Sequence, residues 1–255
     1  MKSKLKTIQL SLTDAVATIT LNNPKRHNAL EQADLHAFLN TLEQVASQPA
    51  LRALVITGAG EKTFCAGVSL QQMNSGDLST DTFEELTNRL DAFPLPTICV
   101  LNGSAYGGGA EIALACDFRI GVHGSRMFVP VARFGLCYPL SGVRRYVAKL
   151  GVGPTKRLLM ANETWFAEEM YRVGFLDYLV ERAELNVARD ALVVKITGLA
   201  PLAVQGMKQI INQLGNDVFD EAAAKAIIRQ CGNSSDLREG LQAQAEKRPP
   251  VFEGQ

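Results

Sequence analysis

The sequence predicts an α/β fold to which a group of helices is appended, and three observations carry this prediction. Short apolar runs typical of strands alternate with amphipathic helical patterns as far as residue 180. From residue 183 onward the pattern is helical throughout. Within the first of these regions, an apolar run leads into three successive glycines and an apolar helix, which is the strand, turn and helix order that aims backbone N–H groups at an anion.

The elements of the first half follow from their periodicity. Residues 5–12 and 16–21 alternate and are rich in β-branched side chains, so they predict a hairpin. Apolar residues then recur at helical spacing over residues 30–46. A buried strand is predicted at 52–57, a long loop at 58–70, a helix at 80–93 and a second buried strand at 96–101.

The second half begins with the glycine stretch and an apolar helix at 110–116. A strand is predicted at 118–122, irregular chain at 127–139, and helices at 141–150, 154–160 and 165–171. A last strand is expected at 176–180. Four further helices are expected at 183–199, 201–214, 218–231 and 235–247, and no internal repeat or low-complexity linker divides them.

The composition favours a soluble, globular protein with a small-molecule or protein partner. Lysine plus arginine and aspartate plus glutamate both number 26, so no net positive field attracts nucleic acid or a membrane surface. The five cysteines form no Cys-x-x-Cys pair, and we expect buried thiols in a reducing cytoplasm without a metal site. The basic segment at residues 1–6 lacks the apolar run of a signal peptide, and no membrane span is expected.

The stretch from Asn102 to Asp117 contains the glycine triplet and is the strongest candidate site. Glycines let a ligand approach the main chain, and the first turn of a helix has N–H groups without intrahelical partners. Glu111 lies in that first turn, where its carboxylate would repel a phosphate. The stretch therefore favours a site at which a carbonyl oxygen becomes an oxyanion while a carboxylate moves a proton.

A second glycine loop follows the strand at 52–57. It does not fit a dinucleotide-binding fingerprint, because Thr63 stands where the last glycine is needed. It does not fit a phosphate-binding P-loop either, because Glu61 precedes the lysine where that motif has glycine. Gly67 lies just before a candidate helix start at Ser69, so this loop is a second place where main-chain N–H groups can converge.

Five motifs in order resemble the crotonase superfamily, that is, the enoyl-CoA hydratase/isomerase family, and the resemblance covers almost the whole chain. Residues 23–30 (NPKRHNAL) are similar to N-P-x-x-x-N-A-L, and residues 64–70 (FCAGVSL) to F-[CS]-A-G-x-D-L. Residues 102–117 resemble N-G-x-x-x-G-G-G-x-E-L-x-x-x-C-D. Residues 166–177 and 246–249 resemble A-x-E-A with G-L-V-D and the closing E-K-R-x-P.

The resemblance implies a spiral of ββα units with a C-terminal helical region that trimerises, often as a dimer of trimers. We expect residues 1–195 to form the spiral core with the acyl-CoA site, and residues 196–255 to form the helical region that mediates oligomerisation and covers the coenzyme A site. The implied substrate is a coenzyme A thioester, so no separate cofactor is expected. Its carbonyl oxygen would lie between the backbone N–H groups of Val68 and Gly108, each worth about 3 kcal/mol in the transition state.

The resemblance also implies a catalytic role for Glu111 and reveals a departure from the hydratase pattern. Glu111 matches the first of the two catalytic glutamates of the hydratases. The second belongs in P-E-x-x-[LF]-G, which aligns with residues 130–135 and here has Val131. Syn hydration uses two carboxylates, whereas isomerisation of a double bond needs one base that carries a proton between carbons. The sequence therefore leaves hydration and isomerisation open, with Glu111 as acid/base in either case.

Further site residues follow from the same resemblance or from their place beside it. Tyr138 and Arg133 lie near the missing glutamate, and either could substitute for it. The alternative is that Tyr138 is a packing residue and Arg133 a surface charge. Lys62 is a further candidate contact for the coenzyme phosphates. The substrate-binding or coenzyme-binding candidates are Lys25, Arg26, Ala66, Ser69, Leu70, Tyr138 and, reaching a neighbouring subunit's ligand, Lys247 and Phe252.

Two other readings of the chain remain open. Within enzymes, the alternative is an acyl-CoA decarboxylase or a thioester hydrolase that uses the same oxyanion hole. Outside enzymes, the alternative is a catalytically silent acyl-CoA binder that has kept the pocket and has Val131 in place of the second carboxylate. The presence of Glu111 favours an enzyme over the silent binder.

Overall fold

A computed structural model of the protein describes residues 6–255. The predicted first strand began at Leu5, which lies outside the described residues together with most of the basic N-terminal segment. The strands are β1 (Ile8–Thr13), β2 (Val16–Leu21), β3 (Ala53–Gly58), β4 (Thr63–Cys65), β5 (Thr97–Leu101), β6 (Ser104–Tyr106), β7 (Phe118–Val122), β8 (Arg126–Phe128), β9 (Trp165–Phe166) and β10 (Tyr178–Val180).

The helices alternate with these strands and then continue alone. They are α1 (Gln32–Ala46), α2 (Leu70–Ser75), α3 (Thr80–Asp91), α4 (Gly108–Ala115), α5 (Leu140–Leu150), α6 (Val152–Leu159), α7 (Ala167–Arg172), α8 (Leu185–Thr197), α9 (Pro201–Gly215), α10 (Glu221–Gly232) and α11 (Ser235–Glu246). Within residues 6–255, none of the helices combines the length and the hydropathy needed to cross a bilayer.

A six-stranded sheet in the order β1-β2-β3-β5-β7-β10 forms the centre of the fold. The predicted hairpin is its antiparallel edge, with Thr13 opposite Val16, and the other neighbouring strands are parallel. Because side chains alternate along a strand, Leu54 and Ile56 face the core shared with α1, α3 and α4, whereas Val55 faces α8. Both faces of the parallel strands are thus buried, which explains their continuous apolar sequence.

A second sheet in the order β4-β6-β8-β9 was not predicted. Its strands occupy chain that the pattern assigned to the loop at 58–70, the glycine stretch, the irregular segment 127–139 and the helix at 165–171. Each of these strands has only two or three residues, too few for an alternating pattern to be recognised. Each of β4, β6 and β8 follows directly on a strand of the larger sheet, so the chain repeats a strand–strand unit that continues into a helix.

The C-terminal helices extend beyond the two sheets. Leu185, Leu192 and Ile196 of α8 pack on the large sheet, so the predicted boundary after residue 195 falls inside α8, and the division into two regions stays a prediction. Helices α9 and α10 cross closely at Gly206, where a Cβ would lie 2.5 Å from Ile227 Cγ2. The expected burial of the cysteines holds for Cys65, Cys99 and Cys116, but Cys137 is exposed because its loop leaves the core, and Cys231 is half-buried.

Candidate functional site

The two glycine loops meet at the N-terminal end of α4. Gly67 has a positive φ of 82°, which favours glycine. A Cβ at Gly67 would lie 2.7 Å from the Gly108 nitrogen and 2.9 Å from the Tyr106 carbonyl oxygen, so no larger residue fits between the loops. Gly108 is the first residue of α4, where N–H groups have no intrahelical acceptor. The loop that ends in Val68 therefore lies directly against a set of helix N-terminal N–H groups.

The segment that carries the N-P-x-x-x-N-A-L motif braces the Val68 loop. The Ala66 N–H donates to the His27 carbonyl at 2.9 Å. The Leu30 N–H donates to Gly67 at 2.8 Å, and the Ser69 N–H donates back to Leu30 at 2.8 Å. Because these bonds use the groups on either side of Val68, the Val68 N–H itself points away from the bridge to Leu30.

Two asparagine side chains fix the start of the same loop. Asn28 is buried and donates to the carbonyl oxygens of Ala59, Thr63 and Phe64 at 2.9 to 3.0 Å. Asn102 accepts from the Gly58 N–H at 3.0 Å and donates to the Gly60 carbonyl at 2.6 Å. These amides form hydrogen bonds with backbone groups that the second sheet leaves unpaired. They thereby fix the backbone of the segment that precedes Gly67.

Glu111 lies in the first turn of α4 with only 2% of its surface exposed. Its Oε2 accepts the Tyr138 hydroxyl proton at 2.5 Å, and its Oε1 accepts from Arg145 Nη1 at 2.7 Å. Burial raises the pKa of Glu111 above its usual range, while the Tyr138 hydroxyl and the Arg145 guanidinium oppose this rise. The carboxylate is thus held in one orientation with a proton affinity higher than that of an exposed glutamate.

The surroundings of Glu111 also perturb other groups. Burial raises the pKa of Tyr138 well above its usual value, so its hydroxyl keeps its proton and remains a donor. Tyr138 also packs edge-on against Tyr146, with ring centroids 5.8 Å apart. Burial raises the pKa of the Cys65 thiol to about 12, which excludes Cys65 as a thiolate nucleophile near neutral pH.

A cavity of about 420 Å³ opens beside Glu111. It brings together six of the predicted catalytic, oxyanion-hole and substrate-binding residues: Ala66, Val68, Leu70, Gly108, Glu111 and Tyr138. Val131 and Arg133 also line it, and Glu111 is the only carboxylate among the described residues of its wall. Most of the remaining wall is apolar, with Met73, Leu78, Phe83, Phe128, Phe134 and Leu136. The cavity can therefore accept an apolar chain whose polar end faces Glu111 and the two glycine loops.

The other predicted ligand contacts lie outside this cavity. Ser69 caps α2, with its hydroxyl accepting from the Gln72 N–H, and it does not line the wall. Lys25 and Arg26 lie in an exposed turn at residues 24–26, where Arg26 forms an ion pair with Glu31. Lys247 directly follows the last residue of α11, and Phe252 lines a crevice between the C-terminal helices. The roles of these residues toward a coenzyme stay predictions.

Arg145 is a site residue that the sequence reasoning missed. The helix at 141–150 was predicted, but no role was given to its arginines. A signal was present, because Gly142, Arg145, Tyr146 and Leu150 recur at helical spacing on the buried face of α5. An arginine on a buried stripe needs an acidic partner nearby, and here that partner is Glu111.

The two sheets, the helical extension and the paired glycine loops define a crotonase-type fold, and comparison with known proteins agrees. The chain belongs to the enoyl-CoA hydratase/isomerase family, whose pattern it matches over residues 11–255. It is 31% identical to a short-chain-enoyl-CoA hydratase of Clostridium acetobutylicum, over 96% of this chain and 97% of that protein. It is 30% identical to the 2,3-dehydroadipyl-CoA hydratase of Escherichia coli, over 96% and 98% of the two chains.

A solved structure supports the same assignment. The crystal structure of an enoyl-CoA hydratase from Bacillus anthracis superposes with a TM-score of 0.87 at 28% sequence identity, covering 98% of this chain and all of that one. The predicted superfamily and the predicted fold are therefore confirmed, including the C-terminal helices.

Proposed function

We propose that the protein is an acyl-CoA enzyme that moves the double bond of an enoyl-CoA between carbon atoms 3 and 2, using Glu111 as a single acid/base. One observation carries the choice of isomerisation. Among the described residues of the cavity wall, Glu111 is the only carboxylate, and Val131 occupies the wall where a second would be needed for hydration. A proton transfer between two carbons requires one base, whereas syn addition of water requires a second group to orient the water.

The reaction can be written with this chain's groups alone. The thioester carbonyl oxygen accepts hydrogen bonds from the N–H groups of Val68 and Gly108, which stabilise negative charge as it develops. The Glu111 carboxylate removes a proton from carbon 2 of a 3-enoyl thioester and becomes a carboxylic acid, leaving a dienolate. Return of that proton to carbon 4 gives the 2-enoyl thioester and restores the carboxylate, so atoms and charge balance.

The environment of Glu111 suits this shuttle. The two carboxylate oxygens have four lone pairs in all, so the bonds to Tyr138 and Arg145 and the hydroxyl of Thr87 leave at least one pair for the transferred proton. The raised pKa of Glu111 brings its acid form closer in free energy to its base form at neutral pH. A base and acid whose pKa lies nearer to the working pH transfers a proton in both directions more efficiently.

Hydration is the second candidate, because two curated relatives are named as hydratases. In that reaction the Tyr138 hydroxyl, 2.5 Å from Glu111, would take over the orientation of water from the missing carboxylate. Arg133 is the other candidate for that role. We favour isomerisation over hydration because the Tyr138 hydroxyl, which donates its single proton to Glu111 and has a raised pKa, stays neutral and does not supply the negative charge of the missing carboxylate.

Assembly and coenzyme contacts complete the proposal. Helix α9 exposes Met207, Ile211 and Leu214 on one face, at the three- and four-residue spacing of a helical stripe. We propose that this apolar stripe packs against other copies in a trimer or a dimer of trimers. In such an assembly Lys247 and Phe252 would reach a neighbouring subunit's coenzyme, while Lys25, Arg26 and Lys62 contact its phosphates. We further propose a cytoplasmic location, in keeping with five free cysteines.

An activity screen over a panel of coenzyme A thioesters tests the proposal. A 3-enoyl-CoA should be converted to the 2-enoyl-CoA faster than crotonyl-CoA is hydrated. Faster hydration than isomerisation would favour the hydratase. Release of free coenzyme A from saturated acyl-CoA would favour the hydrolase, and loss of carbon dioxide from a malonyl-type thioester would favour the decarboxylase. Micromolar binding of acyl-CoA without turnover of any member would favour the silent binder.

A further inference from the structure

The guanidinium of Arg145 has three nitrogens, and only one of them donates to Glu111. Its Nη1 donates to Glu111 at 2.7 Å, and its Nη2 donates to Asn88 Oδ1 at 2.8 Å. Its Nε has no hydrogen-bond partner within residues 6–255, yet lies 3.7 Å from Asp91 Oδ1. The Arg145 side chain is 3% exposed, so the charge of Asp91 acts on it through protein and not through water.

Asp91 is itself held in place from two sides. Lys149 Nζ of α5 lies 3.3 Å from Asp91 Oδ1. Asn212 of α9 donates to the Asp91 backbone carbonyl at 2.8 Å, and Asn216, directly after α9, donates to Asp91 Oδ2 at 3.1 Å. Asp91 thus joins the end of α3 to the C-terminal helices and to the ion pair behind the cavity.

We propose that Asp91 is a positioning residue that acts on Glu111 through Arg145. It is a counter-ion on the far side of the guanidinium, so Arg145 can hold the Glu111 carboxylate in place without making it a weak base. The inference rests on the proposed acid/base role of Glu111. It adds a reason why a glutamate paired with an arginine can still accept a proton, since part of the positive charge of Arg145 is balanced by Asp91.

The other groups that face these two carboxylates must be considered with the proposal. Lys149 faces Asp91 but not the cavity, and its ammonium donates to the Leu114 carbonyl at the end of α4 at 2.7 Å. The remaining titratable or charged groups that act on Glu111 or lie in the cavity wall are Glu84, Tyr106, Arg133, Tyr138 and Tyr146. All of these stay unchanged in the variants below, so a shift can be assigned to the changed position.

Two substitutions, each beside a different guanidinium nitrogen of Arg145, should shift the pKa of Glu111 in opposite directions. Asp91→Asn removes a negative charge, so the pKa of Glu111 should fall by about one unit. Asn88→Asp adds a negative charge at the exposed Nη2 partner, so the pKa of Glu111 should rise. The matched control is Asp117→Asn. Asp117 also anchors α9, through Lys208 at 2.7 Å, but is not paired with Arg145, so its loss should leave the pKa of Glu111 unchanged.

The measurement is a carbon-13 NMR titration of protein labelled at the glutamate carboxyl carbons, with the Glu111 signal assigned by its absence in Glu111→Gln. The acid limb of the pH profile of kcat/KM should move with the NMR value in each variant. Asp91→Glu should restore both toward the wild type. A purely structural role for Asp91 would lower kcat or stability without moving the titration.

The outcomes separate this inference from the proposed function. Equal Glu111 titrations in the wild type, Asp91→Asn and Asn88→Asp would overturn the inference, even in a fully active enzyme. Opposite shifts of the Glu111 titration in a protein that isomerises no enoyl-CoA would support the action of Asp91 on Glu111 through Arg145. They would also exclude the proposed reaction. If Asp91→Asn does not fold, Asn88→Asp at its exposed position still tests whether a negative charge beside Arg145 raises the pKa of Glu111, and an unchanged pKa in that variant would overturn the inference.

Discussion

Replacing Gly67 by alanine should separate the two loops that form the proposed oxyanion hole. The added Cβ would meet backbone atoms at 2.7 Å (Gly108 N) and 2.9 Å (Tyr106 O), and backbone cannot rotate away as a side chain can. A Cβ at a φ of 82° also costs about 1–2 kcal/mol in the left-handed region. Moving one donor out of reach of the oxyanion should lower kcat by about 10²–10³-fold.

Gly174→Ala is the matched control for that substitution. Gly174 has a φ of 80°, and a Cβ there would meet nothing within 4 Å. It should therefore lose a similar free energy of unfolding from the backbone strain alone and keep wild-type kcat. Thermal unfolding and isomerisation of a 3-enoyl-CoA measure the two quantities. If Gly67→Ala keeps the kcat of Gly174→Ala, the Val68 and Gly108 N–H groups do not stabilise the transition state as proposed.

Three further predictions concern the proton shuttle. The acid limb of kcat/KM should lie above the usual pKa of a glutamate, because burial raises that of Glu111 and the enzyme is active only with the carboxylate ionised; a limb at an ordinary value would contradict this. Tyr138→Phe removes a hydrogen bond that favours the ionised form, so the limb should move up by about one pH unit, and an unmoved limb would exclude the role of that bond. Val131→Glu should raise hydration of crotonyl-CoA if only that carboxylate is missing, whereas an unchanged rate would show that the cavity is shaped for another reaction.

The large sheet could be predicted because its strands are buried on both faces. Residues 52–57 and 96–101 are continuous apolar runs, and the structure has β3 and β5 there. The small sheet could not be predicted, because β4 and β6 have three residues each and owe their pairing to the strands that precede them. The helix is predicted to start at residue 110, but α4 begins at Gly108. Glycine is a weak helix former, so the sequence does not indicate a start at Gly108. In the structure glycine is accepted there because the first turn packs against Gly67.

The site could be predicted where a local pattern carries it and not where distant residues meet. Two short glycine-rich stretches contain Gly67, Gly108 and Glu111, and their residue types indicate the chemistry of the site. The two stretches meet at the cavity. Arg145 is 34 residues from Glu111 along the chain, and nothing local indicates that they form an ion pair. The same holds for Asp91, whose partners come from α5 and α9.

Isomerisation by Glu111→Gln tests the central claim most directly. Glutamine keeps the shape of the side chain and can still accept a hydrogen bond from Arg145, but it cannot take up a proton from carbon 2. The variant should bind acyl-CoA with an affinity within a few-fold of the wild type and isomerise a 3-enoyl-CoA about 10²–10⁴-fold more slowly. Wild-type kcat in a folded Glu111→Gln variant would contradict the assignment of Glu111 as the group that carries the proton.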